Sequence, residues 1–137
     1  MKPLEHPLFI RSIAEHFDFS SHVSKDFQWS EFFLSDTGER LGISNTTSDL
    51  DILSNIAYLV HYVLQPLRER CGPIYISSGY RCKTLNEAVD GVKDSYHLYG
   101  RAADIIPFGC SLFVLENFIK DLGVKYIRYS TFIHVQI

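Results

Sequence analysis

The chain has 137 residues, 46% hydrophobic and 21% charged, the balance of an ordinary globular protein and long enough for one domain with a buried core. Thirteen basic against sixteen acidic residues give a net charge of −3 with no Lys/Arg run, which argues against a nucleic-acid footprint. No window reaches the ~18 uncharged apolar residues of a membrane span.

Residues 6–17 place Leu8, Ile10, Ile13, Ala14 and Phe17 at helical spacing, which predicts a short amphipathic helix in an N-terminal extension, residues 1–26. The main domain is expected over residues 27–137. Ser30 is the expected N-cap of a short helix at Trp29–Phe33, with Glu31 in its first turn, and Gly38 and Gly42 break the pattern that follows. The longest helix is expected from Ser48 to Cys71, with Ile52, Leu53, Ile56, Leu59, Val60, Val63 and Leu64 as its apolar stripe. Pro66 should kink it or split off a last turn, because the ring clashes with the preceding turn, and Gly72 should end it. His61 reads as an ordinary helix histidine.

Ile74 and Ile76 alternate with Tyr75 and Ser77, predicting a strand over 73–77. A short helix over 83–89, a loop over 92–99, a strand over 102–106 and a helix over 111–122 follow. Residues 125–129 and 132–137 read as an antiparallel pair joined at Ser130-Thr131. This order predicts an α+β domain, a small mainly antiparallel sheet covered by helices.

Cys71, Cys82 and Cys110 are odd in number, which excludes a fully paired disulfide framework. Cys82 follows Arg81 and is read as a reduced, partly buried thiol, with a place near a metal as the alternative.

The chemistry concentrates in Ser95-Tyr96-His97-Leu98-Tyr99-Gly100-Arg101-Ala102-Ala103-Asp104. His97 and Asp104 are seven apart, about 10 Å of rise on one helix, so no single helix brings them together. A loop turning at Gly100 and entering a strand does. One imidazole nitrogen and one carboxylate oxygen are a partial zinc set, and His134 is the candidate third ligand. Strand alternation puts Ile133, Val135 and Ile137 on one face and Phe132, His134 and Gln136 on the other. Asp104 likewise shares a face with Ala102, with Ala103 and Ile105 turned to the core. A His/Asp/His set leaves a fourth position open, as catalytic zinc requires. Arg81, just after a strand and turn, is either an ordinary surface residue or one that grips a carboxylate through two parallel hydrogen bonds. Ser95 either bonds substrate backbone or caps its own loop, and Tyr80, Tyr96 and Tyr99 are candidate pocket walls.

Ser78-Gly79-Tyr80-Arg81, then Asn86, then Ser95-x-His97-x-x-Gly100-x-Ala102-x-Asp104, and finally the strand bearing His134, resemble the zinc D-Ala-D-Ala peptidases of family M15, closest to the small members borne by phages and mobile elements. The resemblance covers roughly Trp29 to Ile137. It implies a hedgehog/DD-peptidase-like fold, Zn2+ held by His97, Asp104 and His134, and Arg81, Ser95 and Tyr80 as substrate-binding residues. It also implies hydrolysis of D-amino-acid-containing peptide bonds in peptidoglycan, the stem peptide being the substrate, by a carboxypeptidase or an endopeptidase. Glu5 and Glu15 interrupt any signal-peptide-like apolar segment, so the chain is expected to be cytoplasmic when synthesised and released to the wall by lysis or a separate export route.

Two positions depart from the family pattern. The general base that many relatives carry shortly before the last histidine is replaced by Thr131 and Phe132, leaving Tyr129 and Asp94 as weak catalytic candidates. Gln136 stands where an Asp is common. The alternative reading is therefore a zinc-holding binding module for cell-wall peptides that has lost efficient catalysis.

Overall fold

The computed structural model describes residues 1–137. Helix α1 (Leu8–Glu15) buries Ile10 and Ala14 against the long central helix, so the N-terminal segment shares the one main core. A 3-10 turn, Trp29–Phe32, follows. Its cap is Gln28, not Ser30, because the Glu31 carboxylate folds back to accept the Gln28 backbone N–H at 2.7 Å. Helix α2 (Asp36–Leu41) is capped by the Ser35 hydroxyl, which accepts the Gly38 N–H at 3.0 Å; Gly38 thus lies inside a helix that only Gly42 ends.

The central helix starts as α3 (Leu50–Leu59), capped by Asp49, and finishes as α4 (Gln65–Cys71). Between them Val60–Leu64 form a π turn. Pro66 has no N–H to donate to the preceding turn and its ring needs extra room there, which the wider turn supplies; no last turn is split off, and the helical run continues to Cys71. His61 sits half-buried in that turn, its ring edge-on to Phe9 at 6.3 Å.

Strands β1 (Ile74–Ser78), β2 (Ala102–Pro107), β3 (Lys125–Arg128) and β4 (Ile133–Gln136) form one antiparallel sheet in the order β1-β2-β4-β3. Helix α5 (Lys83–Ala88) and a 3-10 turn, Tyr96–Tyr99, lie between β1 and β2, and α6 (Leu112–Leu122) between β2 and β3. The result is a small α+β fold with an open sheet. Ile76, Ala103, Ile105, Ile133 and Val135 join the helices in a core that holds Ile56, Leu59, Leu64 and Leu115.

Cys71, at the end of α4, is bonded to Cys110 in the loop after β2, with Cα atoms 5.3 Å apart, and Cys82 is free and half-buried. No helix is long and apolar enough to cross a membrane.

Candidate metal centre

Asp104 and His134 face each other directly across β2 and β4, the register that the alternation of both strands requires. His97 arrives on the 3-10 turn, which Ser95 caps by accepting the His97 N–H at 3.2 Å. Gly100 then reverses the chain at φ 69°. It also lies against the Ile52 carbonyl, where a Cβ would stand only 2.8 Å away, so glycine is required on both counts. The ligand atoms of His97, Asp104 and His134 lie within 4.8 Å of one another.

All four imidazole nitrogens of this pair face oxygen. His97 Nδ1 meets the Gly79 carbonyl at 2.6 Å, and its Nε2 points at Asp104 Oδ1, 3.3 Å away. His134 Nδ1 meets the same Asp104 Oδ1 at 2.8 Å, while its Nε2 meets Gln136 Oε1 at 2.8 Å. The two inward nitrogens, His97 Nε2 and His134 Nδ1, converge on one Asp104 oxygen, while the two outward nitrogens are held by the Gly79 carbonyl and the Gln136 amide. His97 Nε2, His134 Nδ1 and Asp104 would hold a metal where they converge, with each outward N–H free to donate to its fixed acceptor. This is the arrangement that orients metal-bound histidines, so the donor set fits zinc.

The electrostatics agree. Burial works to raise the Asp104 pKa, but hydrogen bonds from His134 and His97, with their charges, hold it well below the usual carboxylate range. Burial works against charge on His134, yet the bonds to Asp104 and Gln136 win, and its pKa is raised.

The centre lies in a cleft of about 560 Å³ that Arg81, Asp94, Ser95 and Tyr129 also line. Arg81 is held from three sides: Nε donates to Ser78 Oγ at 3.0 Å, Nη1 to Asn86 Oδ1 at 3.3 Å and Nη2 to Asp104 Oδ2 at 3.4 Å. Burial lowers its pKa and Asp104 opposes that. Asn86, only 3% exposed, donates in turn to the Val92 carbonyl. Gly91 passes so close to Asn86 Oδ1 that a Cβ has no room.

The structure brings most of the anticipated residues together and separates three. Tyr80 does not line the cleft: its ring is 8% exposed beside Phe33, at 5.8 Å, and burial raises its pKa. Its turn away from the sheet follows from the Tyr80 N–H bonding Phe32. Tyr99 does not line the cleft either, and its backbone carbonyl accepts the Asn55 amide. Cys82 lies outside the ligand group, its N–H bonded by Asn45 at 2.7 Å. Tyr96 does line the cleft. Asp94 is exposed at the rim, and Tyr129 stacks on Phe132 with centroids 4.6 Å apart. Three supports were not anticipated: the Gly79 carbonyl, the Gln136 amide and the Asn86 hold on Arg81. Gln136 was legible, since it shares the period-two face of His134; the others depend on chain packing.

No curated protein and no solved structure matches the chain. A family model described as Peptidase M15 matches residues 25–136, which include every residue of the centre and of the Arg81 support. By that match, over most of its length, the chain belongs to the Peptidase M15 family, whose members are generally zinc-dependent peptidases.

Proposed function

We propose that this protein is a zinc metallopeptidase that hydrolyses D-amino-acid-containing peptide bonds of peptidoglycan stem peptides. The observation that carries the reading is the convergence of His97, Asp104 and His134 at one point of a cleft that also presents Arg81. Zinc held by these three residues would polarise a peptide carbonyl and ease deprotonation of water. The chain's own groups do the rest. Gly79 and Gln136 fix the two ring orientations. Arg81 is pre-set by Ser78 and Asn86 to take a substrate carboxylate, its charge already desolvated. Ser95, committed to its own turn, shapes the wall more than it contacts substrate. Asp94 at the rim is the carboxylate available to receive a proton, and Tyr129 is the hydroxyl available to donate to a developing oxyanion. Hydrolysis adds water across the C–N bond, leaving a carboxylate and a free amine. Residues 27–137 form the peptidase unit in this reading, with residues 1–26 extending it, and the Cys71–Cys110 bond favours work outside a reducing compartment.

One observation favours the second reading, a zinc-holding binding module. Thr131 is exposed at the β3–β4 turn and Phe132 is stacked on Tyr129, so neither position before His134 offers a base. The test is incubation of the zinc-loaded protein with stem peptides ending in D-Ala-D-Ala and with cross-linked muropeptides, read by mass spectrometry, with His134→Ala as control. Cleavage lost in the variant establishes the peptidase, and product masses name the bond. Stoichiometric zinc held through His134 without cleavage sinks the peptidase reading and puts the binding module ahead.

A further inference from the structure

The cleft does not end at His134. Gln136 and Ile127 also line a second hollow of about 390 Å³ along β3, and Gln136 and Tyr96 also line a third of about 420 Å³. Val124 and Lys125 are common to the second and third. The three adjoin at these shared residues, a trough in three segments.

Its direction follows from the sheet. Contacts run in one line from Arg81 to Asp104 to His134 to Gln136. The strand order β1-β2-β4-β3 sets Arg81, just after β1, at one edge and Lys125, on β3, at the other. If Arg81 holds the carboxylate of the departing residue, the chain on the amino side of the cut bond must run over Gln136 toward Lys125. The far end of the trough is aromatic and basic. Tyr58 and Tyr62 lie ring to ring at 4.6 Å, Tyr62 is 46% exposed, and Lys125 is exposed and makes no ion pair.

Resting on the peptidase reading above, we propose that this trough is the acyl-side subsite, and that it takes the extended, carboxylate-bearing amino-side arm of a stem peptide. The arm's apolar groups lie on Tyr62 and Tyr58 and a carboxylate pairs with Lys125. The enzyme therefore selects long acyl arms over a bare dipeptide, because binding remote from the cut bond is used to raise the rate.

The experiment compares kcat/KM of the zinc-loaded protein for acetyl-D-Ala-D-Ala and for a stem pentapeptide ending in D-Ala-D-Ala, in the wild type, Tyr62→Ala and Lys125→Glu. The wild type should favour the pentapeptide by about tenfold or more. Each variant should lose most of that preference while its dipeptide rate stays within about twofold. Equal rates in the wild type, or an unchanged preference in both variants, overturn the proposal. A second arm does not need turnover: the stem tetrapeptide, the acyl product, is titrated into 15N-labelled protein. Shifts at Tyr62 and Lys125 amides support the trough; shifts confined to the Arg81 end, or none, refute it. Binding in the trough without cleavage sinks the peptidase reading alone, and cleavage without preference sinks the trough alone.

Discussion

Gln136 tests the logic of the metal centre most directly. Its Oε1 is 2.8 Å from the outward nitrogen of His134, a ring that is mostly buried. In Gln136→Leu the ring loses the one bond that anchors Nε2 and so helps keep Nδ1 aimed at Asp104. Removal of such a support costs about 10–100-fold in metal affinity, or roughly 1.4–2.8 kcal/mol. Gln136→Glu restores an acceptor and should recover most of the loss. The assay is zinc competition against a chromophoric chelator at fixed pH, with imidazole 15N spectra of His134 to follow which nitrogen carries the proton. Wild-type and Gln136→Leu affinities within about twofold of each other would refute the reasoning, because His134 would then be oriented by packing alone.

Other outcomes follow from the same contacts. Asn86→Ala removes one hold on Arg81 and leaves the Val92 carbonyl without its donor, so KM for a carboxylate-terminated substrate should rise about 5–30-fold with a smaller change in kcat. Gly91→Ala forces Asn86 aside and should show the same kinetic split, read by steady-state assay. His134, with its pKa raised in the fold, stabilises the metal-free protein fully below its unfolded value near 6.5, and that contribution is lost as pH rises through the folded value. Urea unfolding of the metal-free protein should therefore show stability falling from about pH 6 upward, and saturating zinc should reverse this slope, because the metal-bound ring cannot take the proton that the unfolded chain still binds. Asp104, lowered in the fold, has the opposite sign: its contribution is present above about pH 4 and is lost as pH falls further. The Cys71–Cys110 bond closes a separation of 39 residues that carries Arg81, His97 and Asp104. Its loss in Cys71→Ser should lower the unfolding free energy by up to about 4 kcal/mol, with one free thiol titrating in the wild type.

Some of this protein is local, and the sequence by itself determines it. The alternation in 132–137 settles which face His134 takes, because successive strand residues point oppositely whatever else the chain does. The stripe from Ile52 to Leu64 settles a buried helix, and the glycine at 100 settles a reversal between His97 and Asp104. The Peptidase M15 membership was likewise legible from ordered motifs spread over some sixty residues. Other features depend on partners distant in sequence, and only the tertiary structure decided them. Tyr80 sits inside the motif yet faces the core, because its backbone bonds Phe32, far upstream. Cys71 meets Cys110 because α4 ends beside the loop after β2. Gly79 offers its carbonyl to His97 because β1 ends beside the 3-10 turn, and backbone acceptors leave no mark in side-chain patterns. The trough past Gln136 exists only once β3 pairs with β4, since its walls come from five separate stretches of chain.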